Sequence, residues 1–162
     1  MISEKVIEEV MNSRNDELME KADAIEELYR EEIMDHYQNP RNYGTLGNAD
    51  VVYHDYNPVC GDELTMQLKL ENSTVNEAMF TGKGCAISQA AASMLTEEIK
   101  GKSVKEAAGM KADEMLKIVK INPGPVRIKC ALLALRAVQK GIIQYEANKI
   151  IKVESSVELV EK

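Results

Sequence analysis

Cys60 and Asp62 stand two residues apart, with Gly61 between them, at the mouth of a segment whose apolar residues alternate. In an extended backbone, residues two apart project to one side at a separation of roughly 7 Å, so a thiol and a carboxylate face the same space. Gly61 lets the backbone bend and a ligand come close. The other two cysteines also fall where the pattern changes. Cys85 follows Gly82-Lys83-Gly84 and opens a helical stretch, and Cys130 lies in the first turn or two of the last helix. Counted at about 100° per residue, Cys85 points about 160° away from its helix's apolar stripe, and Cys130 about 130° from its own, so neither reads as a core residue. Helix N-termini favour thiolates, and Arg127 and Lys129 add positive charge beside Cys130. A metal site is the simplest purpose three such thiols and a carboxylate could share. Soft thiolates suit zinc, cuprous copper or an iron–sulfur centre.

Other chemistries fit less well. Lone thiols often pack as small hydrophobes, but boundary positions and the carboxylate beside Cys60 tell against that here. Three cysteines, none in a CxxC pair, do not make the disulfide framework of a secreted domain. A closed structural zinc site takes four ligands, usually paired as C-x₂₋₄-C, and that pairing is absent. A Cys–His hydrolase lacks support, because the only histidines, His36 and His54, read as a helix-end and a strand-surface residue. The formal charge of −7, with no basic patch, argues against nucleic acid as a partner. No apolar run reaches the roughly 18 residues of a membrane span. The opening MISEKVIEEV has no apolar core of a secretory signal, so a cytoplasmic location is expected.

The elements that must position these residues follow from periodicity. With 162 residues, 44% of them apolar, the chain fits one compact domain with modest extensions. Residues 1–25 read as a helical extension, with Ile2, Val6, Val10 and Ile7, Met11 at i,i+4 spacing. The polar run Asn12–Asp16 is expected to interrupt it and cap a second helix, which Asn39-Pro40 stops. Strands follow: one around Val51–Tyr56, one in which Leu64, Met66, Leu68 and Leu70 alternate with polar residues, and a third near Thr74–Thr81 after a tight Asn72-Ser73 turn. The period then becomes helical. Ile87, Ala90, Ala91, Met94 and Leu95 form one stripe ending near Lys100-Gly101, Ser103–Glu106 is a capping box, and a further helix covers about Ala112–Lys120. After Asn122-Pro123-Gly124, Pro125 opens a long last helix with Ile128, Ala131, Leu132, Leu135, Val138 and Ile142 on its stripe. The reading is α+β: a small three-stranded antiparallel sheet packed against several helices, with an extra N-terminal helix. A core domain is expected over residues 26–148, and residues 149–162 as a loose acidic tail.

Three segments then stand out together. Asn57-Pro58-Val59-Cys60-Gly61-Asp62, Gly82-Lys83-Gly84-Cys85-Ala86-Ile87-Ser88 and Pro125-Val126-Arg127-Ile128-Lys129-Cys130 resemble the cysteine motifs of the IscU/SufU/NifU-type iron–sulfur scaffolds. The stretch Tyr29–Asn42 resembles that family's first helix and turn, and the resemblance runs from about Tyr29 to Ile143. It implies a scaffold, not an enzyme: the cysteines accept sulfur from a cysteine desulfurase, bind iron, build a labile [2Fe–2S] cluster and pass it to apo-acceptor proteins. It implies Cys60, Asp62, Cys85 and Cys130 as ligands, with Zn²⁺ able to occupy the same place and Cys130 the candidate first sulfur acceptor. Tyr29 matches a tyrosine linked in the family to persulfide handling and dimer contacts, so a homodimer is compatible with the resemblance. Two departures matter. IscU-type members carry His where Lys129 stands, as in SufU-type members, and a protonated lysine cannot donate to a metal. SufU-type members carry an insertion between the second and third cysteines, for which the 45-residue spacing here leaves no room. The segment read by the IscU chaperone is altered to Pro123-Gly124-Pro125-Val126-Arg127, which leaves chaperone dependence open. The alternative is a SufU-like zinc-dependent sulfur relay that builds no cluster.

Overall fold

The computed structural model describes residues 3–161, apart from the side chains of residues 10, 13–15 and 156–161. Helix α1 covers Glu4–Gln38, its first turn capped by the Ser3 hydroxyl, which accepts the Val6 N–H at 3.4 Å. The expected break at Asn12–Asp16 does not occur. Asn, Ser and Asp each cost a helix only tenths of a kcal/mol, and the Glu, Leu and Met residues that follow are strong formers, so the helix passes through. It ends where expected, at Asn39, whose N–H closes on the Asp35 carbonyl at 2.8 Å before Pro40. Every described side chain from Ser3 to Leu28 is exposed; α1 docks through its last turns, where Ile33 and His36 are buried and Tyr29 and Glu32 half-buried. Ile2 and the side chain of Val10 lie outside the described residues.

Strands β1 (Val51–Asn57), β2 (Asp62–Glu71) and β3 (Thr74–Lys83) form one antiparallel sheet in the order β1-β2-β3. The β2–β3 turn at Asn72-Ser73 has both residues at positive φ (52° and 60°), the primed geometry whose twist suits a two-residue hairpin. Leu64, Met66 and Leu68 of β2 are wholly buried, as alternation required. Gln67, on the other face, is buried too, because the loop after α1 crosses there and Leu46 donates its N–H to the Gln67 side chain at 2.8 Å. The register places Asn57 opposite Asp62 at the end of the β1–β2 ladder.

Helix α2 (Ala86–Ile99) runs through the centre of the fold, touching α1, β3, α4 (Ala112–Val119) and α5 (Gly124–Glu161). From Ser88 to Thr96 every residue is buried, so the single stripe expected of it is a full circumference. Its polar members are paired inside: Ser93 Oγ meets His36 Nδ1 at 2.8 Å and accepts the Arg41 N–H at 2.8 Å. His36, in the last turn of α1 as expected, is buried, since α1 lays that face against α2. His54 is exposed, as expected, and bonds Thr65 Oγ1 at 2.9 Å. Short helix α3 (Val104–Ala108) opens on the expected cap, Ser103 Oγ accepting the Glu106 N–H at 3.0 Å. Helix α5 does not fray into a tail after Asn148 but continues to Glu161, with exposed side chains over residues 150–155. No Gly or Pro interrupts that stretch, so nothing local stops the helix. Over the sheet, α5 buries Ala131, Leu133, Ala134, Leu135, Ala137, Val138 and Ile142. Each fully buried Leu or Ile contributes about 1.5–3 kcal/mol to holding it there.

Candidate metal centre

Three elements meet at one end of the sheet. The β1–β2 turn supplies Cys60 and Asp62. Its backbone is fixed by the Gly61 N–H on the Asn57 carbonyl at 2.9 Å, and Gly61 adopts φ +70°, a left-handed conformation that favours glycine. The β3–α2 junction supplies Cys85, which is the N-cap of α2, its sulfur accepting the Ser88 N–H at 3.5 Å. Helix α5 supplies Cys130 from its second turn.

The thiol of Cys60, a carboxylate oxygen of Asp62 and the thiol of Cys130 all lie within 4.8 Å of one another. Cys85 joins through the carboxylate: its N–H donates to Asp62 Oδ1 at 2.7 Å and its thiol to Oδ2 at 3.7 Å. Gly84 makes this possible. Its φ is +146°, and a Cβ there would sit 2.3 Å from Asp62 Oδ1, so a larger residue and the carboxylate cannot both be present. Thiolate–zinc bonds of about 2.3 Å need sulfurs roughly 4 Å apart. Donors already this close, two of them thiols and a third thiol on the same carboxylate, fit a soft metal or an iron–sulfide core.

Depth differs among the donors. Cys60 and Cys85 are half-buried, whereas Asp62 is 1% and Cys130 0% exposed. Cys130 thus overturns the expectation drawn from its helix alone. The stripe count places it off the face that meets the sheet, but the β1–β2 turn folds over it and covers it. Its environment is also not the one that neighbouring cations suggested. Arg127 and Lys129 are exposed, while burial, then hydrogen bonds to Asp62 and Cys60 and the nearby Cys85, push the Cys130 thiol far up and keep it protonated. Burial alone would raise Asp62 as well. Hydrogen bonds from Cys130, from the Cys85 N–H and thiol and from Ser88 outweigh that and hold the carboxylate below its usual range.

Two buried residues beside the site escaped the sequence reading. Ser88 belongs to the second cysteine motif, and an N-cap three residues earlier places its N–H on the cap side chain. Asn57, which the sequence marks only as the start of the first cysteine motif, donates from Nδ2 to Cys130 Sγ at 3.6 Å. Tyr29 lies where α1 meets α4, its ring 5.8 Å from Lys120 Nζ.

Residues 28–152 match the family described as the NifU-like N terminal domain. The chain belongs to this family. A protein of Bacillus subtilis (strain 168) named zinc-dependent sulfurtransferase SufU is 39% identical over 141 residues, covering 76% of this chain and 95% of that one. The iron-sulfur cluster assembly enzyme IscU of Drosophila melanogaster is 35% identical over 130 residues, covering 78% of this chain and 83% of its own length. Among solved structures, the N-terminal part of a nitrogen-fixing NifU-like protein from Brucella abortus superposes with a TM-score of 0.62 at 25% identity, covering 76% of this chain and 97% of that one. The Bacillus alignment is the longer, yet it takes in slightly less of this chain than the Drosophila one, so the Bacillus protein has residues with no counterpart here. This NifU-like chain shares its fold with the Brucella structure, and most of its first helix precedes the region that matches the family.

Proposed function

We propose that this chain is a scaffold on which iron and sulfide, its cargo, are assembled into a labile [2Fe–2S] cluster held by Cys60, Cys85, Cys130 and Asp62. Sulfur comes from a cysteine desulfurase: a scaffold thiolate attacks the outer sulfur of the donor's persulfide, the donor cysteine leaves as thiolate, and an external two-electron reductant, such as excess thiol, then releases that sulfur as sulfide. The observation behind this reading is the gathering of two thiols and the buried Asp62 carboxylate within 4.8 Å, with the third thiol hydrogen-bonded to that carboxylate. A cluster that must be released is better served by one hard oxygen ligand than by a fourth sulfur. Cys130 can serve as first sulfur acceptor only in a form that uncovers it, because the closed site keeps it buried and protonated. Residues 26–148 perform this chemistry in a cytoplasmic setting, with apo-proteins as acceptors, and the two helical extensions lie outside it. Among the described residues no helix is long and apolar enough to cross a membrane.

A zinc-dependent sulfur relay is the second reading, favoured by the identity to the Bacillus protein and by Lys129, and opposed by the residues of that protein which this chain lacks. Anaerobic incubation with ferrous iron, cysteine and a desulfurase separates the two. The scaffold yields [2Fe–2S] absorption, and each Cys→Ser variant loses most of it. Persulfide uptake with tightly kept zinc, and no cluster absorption despite an active desulfurase, establishes the relay.

A further inference from the structure

Asn57 sits opposite Asp62 in the last pair of the β1–β2 ladder, and paired residues of a ladder present their side chains to the same face. Both are buried, at 4% and 1% exposure. Between them lies the Cys130 sulfur, which takes a hydrogen bond from Asn57 Nδ2 at 3.6 Å and stands within 4.8 Å of the Asp62 carboxylate. The two partners differ in kind. A carboxylate can only accept, so it can share a hydrogen bond with a thiol but not with a thiolate. An amide N–H donates to sulfur in either state and is the one of the two hydrogen bonds that metal binding leaves in place. The same side chain fixes the turn that bears Cys60: Asn57 Oδ1 accepts the Val59 N–H at 3.3 Å, and its main-chain carbonyl accepts the Gly61 N–H at 2.9 Å.

We propose that Asn57 is a positioning residue that couples the two halves of the metal site, holding the Cys130 sulfur through its amide nitrogen and the Cys60 turn through its amide oxygen. Hydrogen bonds to ligand sulfurs withdraw electron density from the metal–sulfur bond and tune its energy. Removing the donor while keeping the turn isolates that effect. In Asn57→Asp the second oxygen replaces the nitrogen and the acceptor for Val59 remains. In Asn57→Ser the hydroxyl serves the turn more weakly and cannot reach Cys130.

This rests on the reading of the three cysteines as metal ligands, and the test uses Co²⁺ alone, with no iron, sulfide or desulfurase. Co²⁺ is titrated into the full chain, and the sulfur-to-cobalt charge-transfer band and the dissociation constant are read. Circular dichroism melts identify the variants that remain folded. In both variants the band is expected to move to lower energy and the affinity to fall by about tenfold or more. Asn57→Ser adds no charge, so weaker binding there cannot come from charge. If either folded variant matches the unaltered chain in band position, and in affinity within about twofold, Asn57 only holds the turn and the proposal fails. A chain that takes up no Co²⁺ at all refutes the cysteine reading itself, and the role of Asn57 with it. Uptake by the natural chain with unmoved variants refutes Asn57 alone.

Discussion

Asp62 touches more of the site than any other residue: it receives the Cys85 N–H and thiol and lies against Cys60 and Cys130. In the proposed ligand set it is the one oxygen among sulfurs, and its bond to the cluster would be the most ready to exchange. In Asp62→Ala the loaded cluster is expected to persist severalfold longer in air and to pass severalfold more slowly to an apo-acceptor, followed by visible absorption. Unchanged decay and transfer would remove Asp62 from the exchange step. At this scale the sequence was informative wherever chemistry depends on residue type and spacing. The shared direction of Cys60 and Asp62 about Gly61 could be read directly, whereas the need for glycine at position 84 comes from its packing against Asp62. The burial of Cys130 could not, because the group that covers it comes from a turn some seventy residues earlier, and the helix's own periodicity does not record that.

Between elements, the critical joint is the β3–α2 junction. Gly84 occupies a backbone conformation that side chains rarely adopt, and the space its Cβ would need is filled by the Asp62 carboxylate. Gly84→Ala is expected to cost about 2 kcal/mol in urea unfolding and to weaken zinc uptake as well, since both the backbone and the ligand must shift. Loss of stability with zinc affinity unchanged would show that the carboxylate relocates freely. A second joint, α1 on α2, turns on His36. Burial first, then the Arg41 charge, lower its pKa, while Glu97, Glu32 and Asp35 oppose this more weakly. The unfolded chain therefore takes up a proton more readily than the folded one. The stability given by neutral His36 is whole above about pH 6.5, the unfolded value, and is lost as pH falls from there through the lower folded value. Thermal melts between pH 7.5 and 5 should show that loss, on the order of a few degrees, and His36→Gln should flatten it. Periodicity found α2 but gave it one apolar stripe. Ser88, Ser93 and Thr96 look like surface residues to any count by polarity; Ser88 and Thr96 donate to carbonyls three residues back, and Ser93 and Thr96 also accept from Arg41 and Asn42, which no local pattern reveals.

For the whole molecule, the division between a chemical domain and its extensions predicts a clean result. The described side chains of residues 3–28 are all exposed, and the family match begins at residue 28. A chain lacking residues 1–24 is expected to melt within about 3 °C of the full chain and to bind zinc with the same stoichiometry. A large drop in either would mean that the first helix supports the site. The α+β architecture, the three strands and the hairpin turn were legible because each is set by local alternation or turn chemistry. The continuity of α1 and the length of α5 were not. A polar run resembles a cap, and a weakening stripe resembles an end, whenever a helix extends past the body it packs against.

The residues we propose as ligands stand at positions 60, 62, 85 and 130, and a 38-residue helix extends well past the last of them. On the ribosome, where the chain appears N-terminus first, Cys60 and Cys85 emerge long before the helix that bears Cys130 can close over them. For that interval the nascent protein has two uncovered thiols and no finished pocket. Its exposure to oxidants and stray metal ions is then set by the speed of translation, and ends only when the final helix docks.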